Sequence, residues 1–147
     1  MNEEDLELRV RRLEDRLEID ELTARYCHAV ARADSASIVA LFTDDGLFEM
    51  GPRQIRGRDE LERFYGDVSA SPPIPFIQNH VIDVTGDEAT GTCSVEIRLV
   101  QEGEPYTAAG WYEDSYRRVG ENWRFAQRVF HVFHWVPLRK GWSRDER

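Results

Sequence analysis

From position 76 to position 136 apolar residues recur at every second position through four long runs, roughly Phe76 to Val84, Ala89 to Val100, Tyr106 to Arg118 and Trp123 to Val136. A period of two is that of a strand, whose alternate side chains point to opposite faces. Thr85-Gly86-Asp87, Glu102-Gly103-Glu104 and Gly120-Glu121-Asn122 separate the runs and have the composition of hairpin turns. Such a chain is committed to an antiparallel meander. Strands of this length twist and curl, and the concave apolar face of a curled sheet has to be covered.

The cover comes from upstream. Leu6, Val10, Leu13 and Leu17 recur at intervals of 4, 3 and 4, the seam of a short coiled coil, and the pattern continues through Leu22, Tyr26, Ala29 and Val30. One long helix is predicted there; its first half has few core contacts in prospect, so it pairs with a second copy of the chain or frays. Arg9, Arg11 and Arg12 alternate with Glu7, Glu14 and Asp15 in the manner of a solvated face. Asp34 precedes Ile38, Val39, Leu41 and Phe42 as a helix cap would. Thr43 to Gly46 reads as a turn, Leu47 to Met50 and Gln54 to Ile55 as short strands, and Arg58 to Val68 as a helix burying Leu61, Phe64, Tyr65 and Val68. Three prolines between Ser69 and Pro75 end that helix in a loop. The expected fold is α+β: a curled antiparallel sheet with three N-terminal helices over its concave face, one domain over 1–147 with 1–17 as a helical extension. The hollow beneath the helices suits a small apolar ligand.

A formal charge of −9 opposes nucleic acid binding, which draws on Lys and Arg to displace counterions. No apolar run approaches the roughly 20 residues that span a bilayer, and Met1 to Leu8 is acidic where a secretory leader is basic, so neither a membrane partner nor export is expected and the location expected is cytoplasmic. Cys27 and Cys93 lack metal-ligand spacing and read as reduced, buried thiols. There is no Gly-rich phosphate loop, nucleophile elbow or HExxH, and neither a cofactor nor a metal is expected.

Three stretches, LTARYCHAVARADSASIVALFTDD from Leu22, NHVIDVTGDEATG from Asn79 and GWYEDSYRRVGENWRFAQR from Gly110, together resemble the SnoaL-like group of the nuclear transport factor two-like superfamily. The resemblance implies a cone-shaped pocket for apolar ring compounds, as in scytalone dehydratase, bile-acid dehydratase, hexachlorocyclohexane dehydrochlorinase, limonene epoxide hydrolase and polyketide cyclases. In the dehydratase and dehydrochlorinase members a His takes the proton, an Asp orients it and a Tyr often assists. Here the Asp position falls on Ala31 and the His position on Ile74 or Pro75, depending on whether GDEATG or Asn79 anchors the comparison. Asp34, three residues after Ala31, is about 300° further round a helix. The family tyrosine remains as Tyr26.

Strand alternation from position 74 places Phe76, Gln78, His80 and Ile82 on one face, which makes His80 the nearest inward acid or base. Tyr26 and His80 are therefore the catalytic candidates, and Tyr26, Gln78, His80, Tyr112 and His134 the expected pocket residues. His131 and His134, an odd number apart, are expected on opposite faces, His134 towards the pocket. The strand ending at Val136 is apolar on both faces and requires a second cover, so a homodimer is expected. Functionally, a cofactor-independent lyase, isomerase or cyclase without the family dyad stands beside two alternatives: a non-enzymatic ligand-binding or assembly module, and a supporting subunit resembling the dioxygenase β chain.

Overall fold

The computed structural model describes residues 1–141. Helix α1 spans Glu3–Ala31 and starts where the Asn2 side chain accepts from the Asp5 amide at 2.8 Å. A short α2, Ser35–Ala40, begins at Asp34, whose carboxylate accepts from the amide of Ser37 at 3.1 Å and its hydroxyl at 2.6 Å. These bonds, the hydroxyl's first, hold the Asp34 carboxyl below its ordinary pKa, so Asp34 works as a cap. Strands β1 (Phe42–Met50) and β2 (Arg53–Arg56) precede α3, Arg58–Val68, and the meander follows as β3 (Ile74–Thr85), β4 (Glu88–Gln101), β5 (Glu104–Val119) and β6 (Asn122–Pro137).

The six strands form one curled, unclosed sheet in the order β2-β1-β6-β5-β4-β3. All neighbours are antiparallel except β1 and β6, which run parallel, so the sheet is mixed where the hairpins alone imply an antiparallel one. The expected turn at Thr43 to Gly46 lies within β1 as an irregularity: Phe42 pairs with Phe125 and Leu47 with Gln127, so residues 43–46 face a single residue of β6. Glycine is required there, because a Cβ on Gly46 would lie 2.9 Å from the Thr43 carbonyl oxygen.

The core occupies the concave side, where Tyr26, Phe42, Tyr65, Tyr112, Phe125 and Phe130 pack mostly edge to face. Asp15 departs from the expected solvated face of α1. It is buried, and its Oδ1 accepts from the Trp123 indole at 3.0 Å and from Arg118 at 2.7 Å, which ties α1 to the start of β6 and the end of β5.

Three bulges in the meander decide which side chains point inward; at one of them Ala126 of β6 is the extra residue between Phe125, opposite Tyr116, and Gln127, opposite Ser115. In β3, Asn79 and His80 together oppose Cys93, and Asn79 takes a left-handed φ of 58°. In β6, Phe133 is the extra residue between His134, opposite Ala109, and Val132, opposite Gly110. A bulge inserts one residue and reverses the alternation beyond it.

Candidate functional site

A cavity of about 350 Å³ opens between α1, α3 and the concave face of the sheet. Tyr26 reaches it from α1, Tyr65 and Phe64 from α3, Tyr112 from β5 and Phe130 from β6. Pro75 and Ile97 close the far wall. The lining is chiefly apolar, and its formally charged side chains are Arg53 and Asp67, both in exposed positions.

The tyrosine hydroxyls supply the cavity's interior polarity. Tyr26 and Tyr65 share a hydrogen bond of 2.8 Å, which uses one of their two hydroxyl protons and leaves the other to be donated elsewhere. Tyr112 has no hydroxyl partner among the described residues. Burial pushes the Tyr26 phenol up to about 12, against the pull of Arg128 and of the Tyr65 hydrogen bond, and pushes Tyr65 and Tyr112 well above the ordinary phenol value. At neutral pH all three are protonated donors.

Beneath them lies a charge. Arg128 is fully buried, with its guanidinium carbon 3.5 Å from the Tyr112 ring centroid, 4.3 Å from Tyr26 and 4.6 Å from Phe125. Its Nε stands 3.1 Å from Oδ1 of Asp114, the residue directly across the ladder from it. Burial pushes the Asp114 carboxyl up while Arg128 and the Tyr116 hydroxyl draw it back; burial likewise opposes the Arg128 cation, and Asp114, together with the neighbouring Tyr112, Tyr26 and Cys93, outweighs that and keeps it charged. Tyr116 donates to Asp114 Oδ2 at 3.0 Å, His80 Nε2 lies 3.2 Å from the Tyr116 hydroxyl, and His80 Nδ1 lies 2.9 Å from Asp20 on the surface of α1. A continuous polar chain thus runs from Asp20 through His80, Tyr116 and Asp114 to the underside of the tyrosines.

Two of the five expected pocket residues, Tyr26 and Tyr112, line this cavity; Gln78, His80 and His134 do not. The β3 bulge separates Gln78 from His80: Gln78 is exposed and Pro75 points in on one side of it, while His80 and Ile82 point in on the other. His80 therefore belongs to the layer below the tyrosines, with Arg128 and Asp114 between. In β6 the extra residue Phe133 brings His134 to the same outer face as His131, because His134 pairs with Ala109 and His131 with Trp111. His131 stacks on Trp111 at 4.4 Å between centroids and meets Glu113 at 2.8 Å. Sequence reasoning missed Asp114 and Arg128 as members of the site. The signal for Asp114 was alternation: two residues past Tyr112, it falls on the same face.

At the family's dyad positions, Ala31 ends α1, Ile74 is exposed and Pro75 lines the cavity wall. No histidine among the described residues lines the cavity.

The sequence matches the SnoaL-like domain family over residues 11–129, and the chain belongs to that family. Several solved structures share its fold. A protein of unknown function from Mycobacterium tuberculosis is 27% identical, with a TM-score of 0.78 over 83% of this chain and 73% of that one. A nuclear transport factor two-like protein with a cystatin-like fold from Novosphingobium aromaticivorans is 26% identical, with a TM-score of 0.74 over 89% and 90%. A hexachlorocyclohexane dehydrochlorinase, LinA type 2, is 19% identical, with a TM-score of 0.79 over 87% and 91%. No curated protein matches the sequence. No helix among the described residues is long and apolar enough to cross a membrane.

Proposed function

We propose that the protein binds a small, mainly apolar ring compound in the cavity under α1 and α3, and holds a carbonyl or hydroxyl oxygen of it with the phenols of Tyr26, Tyr65 and Tyr112. The observation that carries this reading is the set of three protonated phenols lining an apolar hollow with the Arg128 cation pressed on two of their rings. Such an array stabilises negative charge developing on a ligand oxygen, as an oxyanion hole does. It suits cofactor-independent proton-transfer chemistry of the isomerase, lyase or cyclase kind. Binding without turnover is the second reading, favoured by the absence of a histidine among the described residues of the cavity lining and by Ala31 and Pro75 at the dyad positions. The assembly is proposed to be a homodimer.

Calorimetry with 1-tetralone and its hydrocarbon counterpart tetralin tests the reading. Tyr112→Phe is expected to weaken tetralone about tenfold, the value of one hydrogen bond of about 1.4 kcal/mol, and to leave tetralin unchanged. Equal losses for both, or no binding of either, would overturn it. No dehydrochlorination of hexachlorocyclohexane is expected from the wild type: abstraction from carbon needs a base within hydrogen-bond reach, and His80 lies below the Arg128 layer. Chloride release that His80→Ala abolishes would refute this.

The Tyr26 shift also has a stability consequence. Its folded pKa, about 12, exceeds the ordinary 10.0, so the folded state holds the proton more tightly. The corresponding stability is fully present below pH 10 and is lost as pH rises towards 12, at about 1.4 kcal/mol per pH unit for this one group. Urea unfolding at pH 9, 10 and 11 is expected to show a shallower decline for Tyr26→Phe than for wild type. Cys27, raised by burial to about 11, is present in both proteins and cancels in the comparison.

A further inference from the structure

Helix α1 has two halves with different surroundings. From Asp15 onward it packs on the domain through Asp15, Ile19, Leu22 and Tyr26, all buried and spaced 4, 3 and 4. The seam residues Leu6, Val10, Leu13 and Leu17 are 52%, 45%, 67% and 62% exposed, an unusual state for four large apolar side chains in one row. At 100° per residue Leu13 and Leu17 each lie about 160° round the helix from Asp15, so the seam is on the side opposite the packed face, with Leu13 at the edge of a groove shared with Ile82–Thr85 of β3. Among the described residues nothing covers that row.

The residues flanking the seam say what does. With Leu6 and Leu13 at the d positions of a heptad and Val10 and Leu17 at the a positions, the e positions are Glu7, Glu14 and Glu21, and the g positions are Arg9 and Arg16. One edge is wholly acidic and the other basic. In a parallel, in-register pair each g residue faces the partner's e residue five positions later, which joins Arg9 to the partner's Glu14 and Arg16 to the partner's Glu21. An antiparallel pair sets g against g and e against e, which opposes Arg to Arg and Glu to Glu. Among the described residues Arg16, Glu7 and Glu14 make no ion pair, Arg9 reaches only the Met1 sulfur, and Glu21 has a single exposed contact with Arg25 at 3.6 Å. The charges are available to a second copy.

We propose that α1 of two copies of this chain pairs along residues 6–17 as a parallel, in-register, two-stranded coiled coil, with Glu21 reached at its C-terminal edge. The proposal rests on the homodimer reading and specifies its geometry. The seam spans under two heptads, too short for isolated peptides, but each helix is already nucleated by its continuation over the domain, which removes the entropic cost of starting it. Leucine at both d positions, with valine and leucine at a, suits two strands.

Cysteine substitution reads the orientation. Under mild oxidation Leu6→Cys alone and Leu17→Cys alone are each expected to form a disulfide-linked dimer, since parallel pairing sets each residue beside its own copy. Antiparallel pairing matches position 6 with position 17, so cross-linking only in a mixture of the two variants would overturn the proposal. Native Cys27 and Cys93 are buried. In light scattering, the double variant Leu13→Glu/Leu17→Glu is expected to raise the dimer dissociation constant at least tenfold while circular dichroism stays native, because both side chains are exposed. A dimer that survives these substitutions would overturn the coiled coil and leave a homodimer through another face; a monomeric wild type would overturn both.

Discussion

Asp114→Leu, made alone, is expected to lower the free energy of unfolding by about 3–5 kcal/mol, because it strands the Arg128 guanidinium without its counter-charge at a site where both side chains are fully buried. For a chain of this length that is a fall of roughly 10–15 °C in Tm. Arg128→Met alone is expected to cost a similar amount, since it leaves the Asp114 carboxylate with only the Tyr116 hydroxyl. The double variant Asp114→Leu/Arg128→Met is expected to recover most of the loss, as well-packed apolar residues commonly replace a buried ion pair at little net cost. Urea unfolding of the two singles and the double measures the coupling directly. Additive losses would show that packing around Arg128, against the rings of Tyr112, Tyr26 and Phe125, outweighs the charge pairing.

Gly110→Ala is the second large effect. An added Cβ at this position would sit 1.9 Å from the His131 carbonyl oxygen and 3.1 Å from the Phe130 ring, so β5 and β6 must separate to admit one methyl group. The clash is with backbone, which has no rotamer to change, and the expected cost is about 3 kcal/mol or more. Gly66, exposed in α3 with open space around its Cα, is the control. Gly66→Ala is expected to stabilise by about 1 kcal/mol, the difference in helix propensity. Thermal unfolding of the two variants should therefore move in opposite directions, and a Gly110→Ala protein as stable as wild type would mean that the strands are not so closely apposed there.

The pocket itself was partly legible. The position of Tyr26 in the family pattern brought it to the cavity, and parity placed Tyr112 on the inner face of β5. The histidines were misplaced for a common reason. Alternation counts residues, and one extra residue at Asn79–His80 and another at Phe133 reverse the count without leaving a mark in the hydrophobic pattern. That is why Gln78 faces outward, His80 lies below the tyrosine layer and His134 shares a face with His131.

What this sequence determined by itself is local: the cap at Asp34, the helix at Arg58–Val68, the three hairpin turns and the long strands between them, each specified by residues within a few positions of one another. The apolar seam of α1 and its charged edges belong to the same category, since helical spacing alone produces them. Tertiary structure decided the parallel pairing of β1 with β6, the burial of Asp15 against Trp123, and the union of Asp114 with Arg128 beneath Tyr26 and Tyr112. A charged residue has no inside or outside until the strands beside it are in register; in this protein the energy of burying Arg128 is balanced by a carboxylate fourteen residues away in the chain and directly opposite in the sheet.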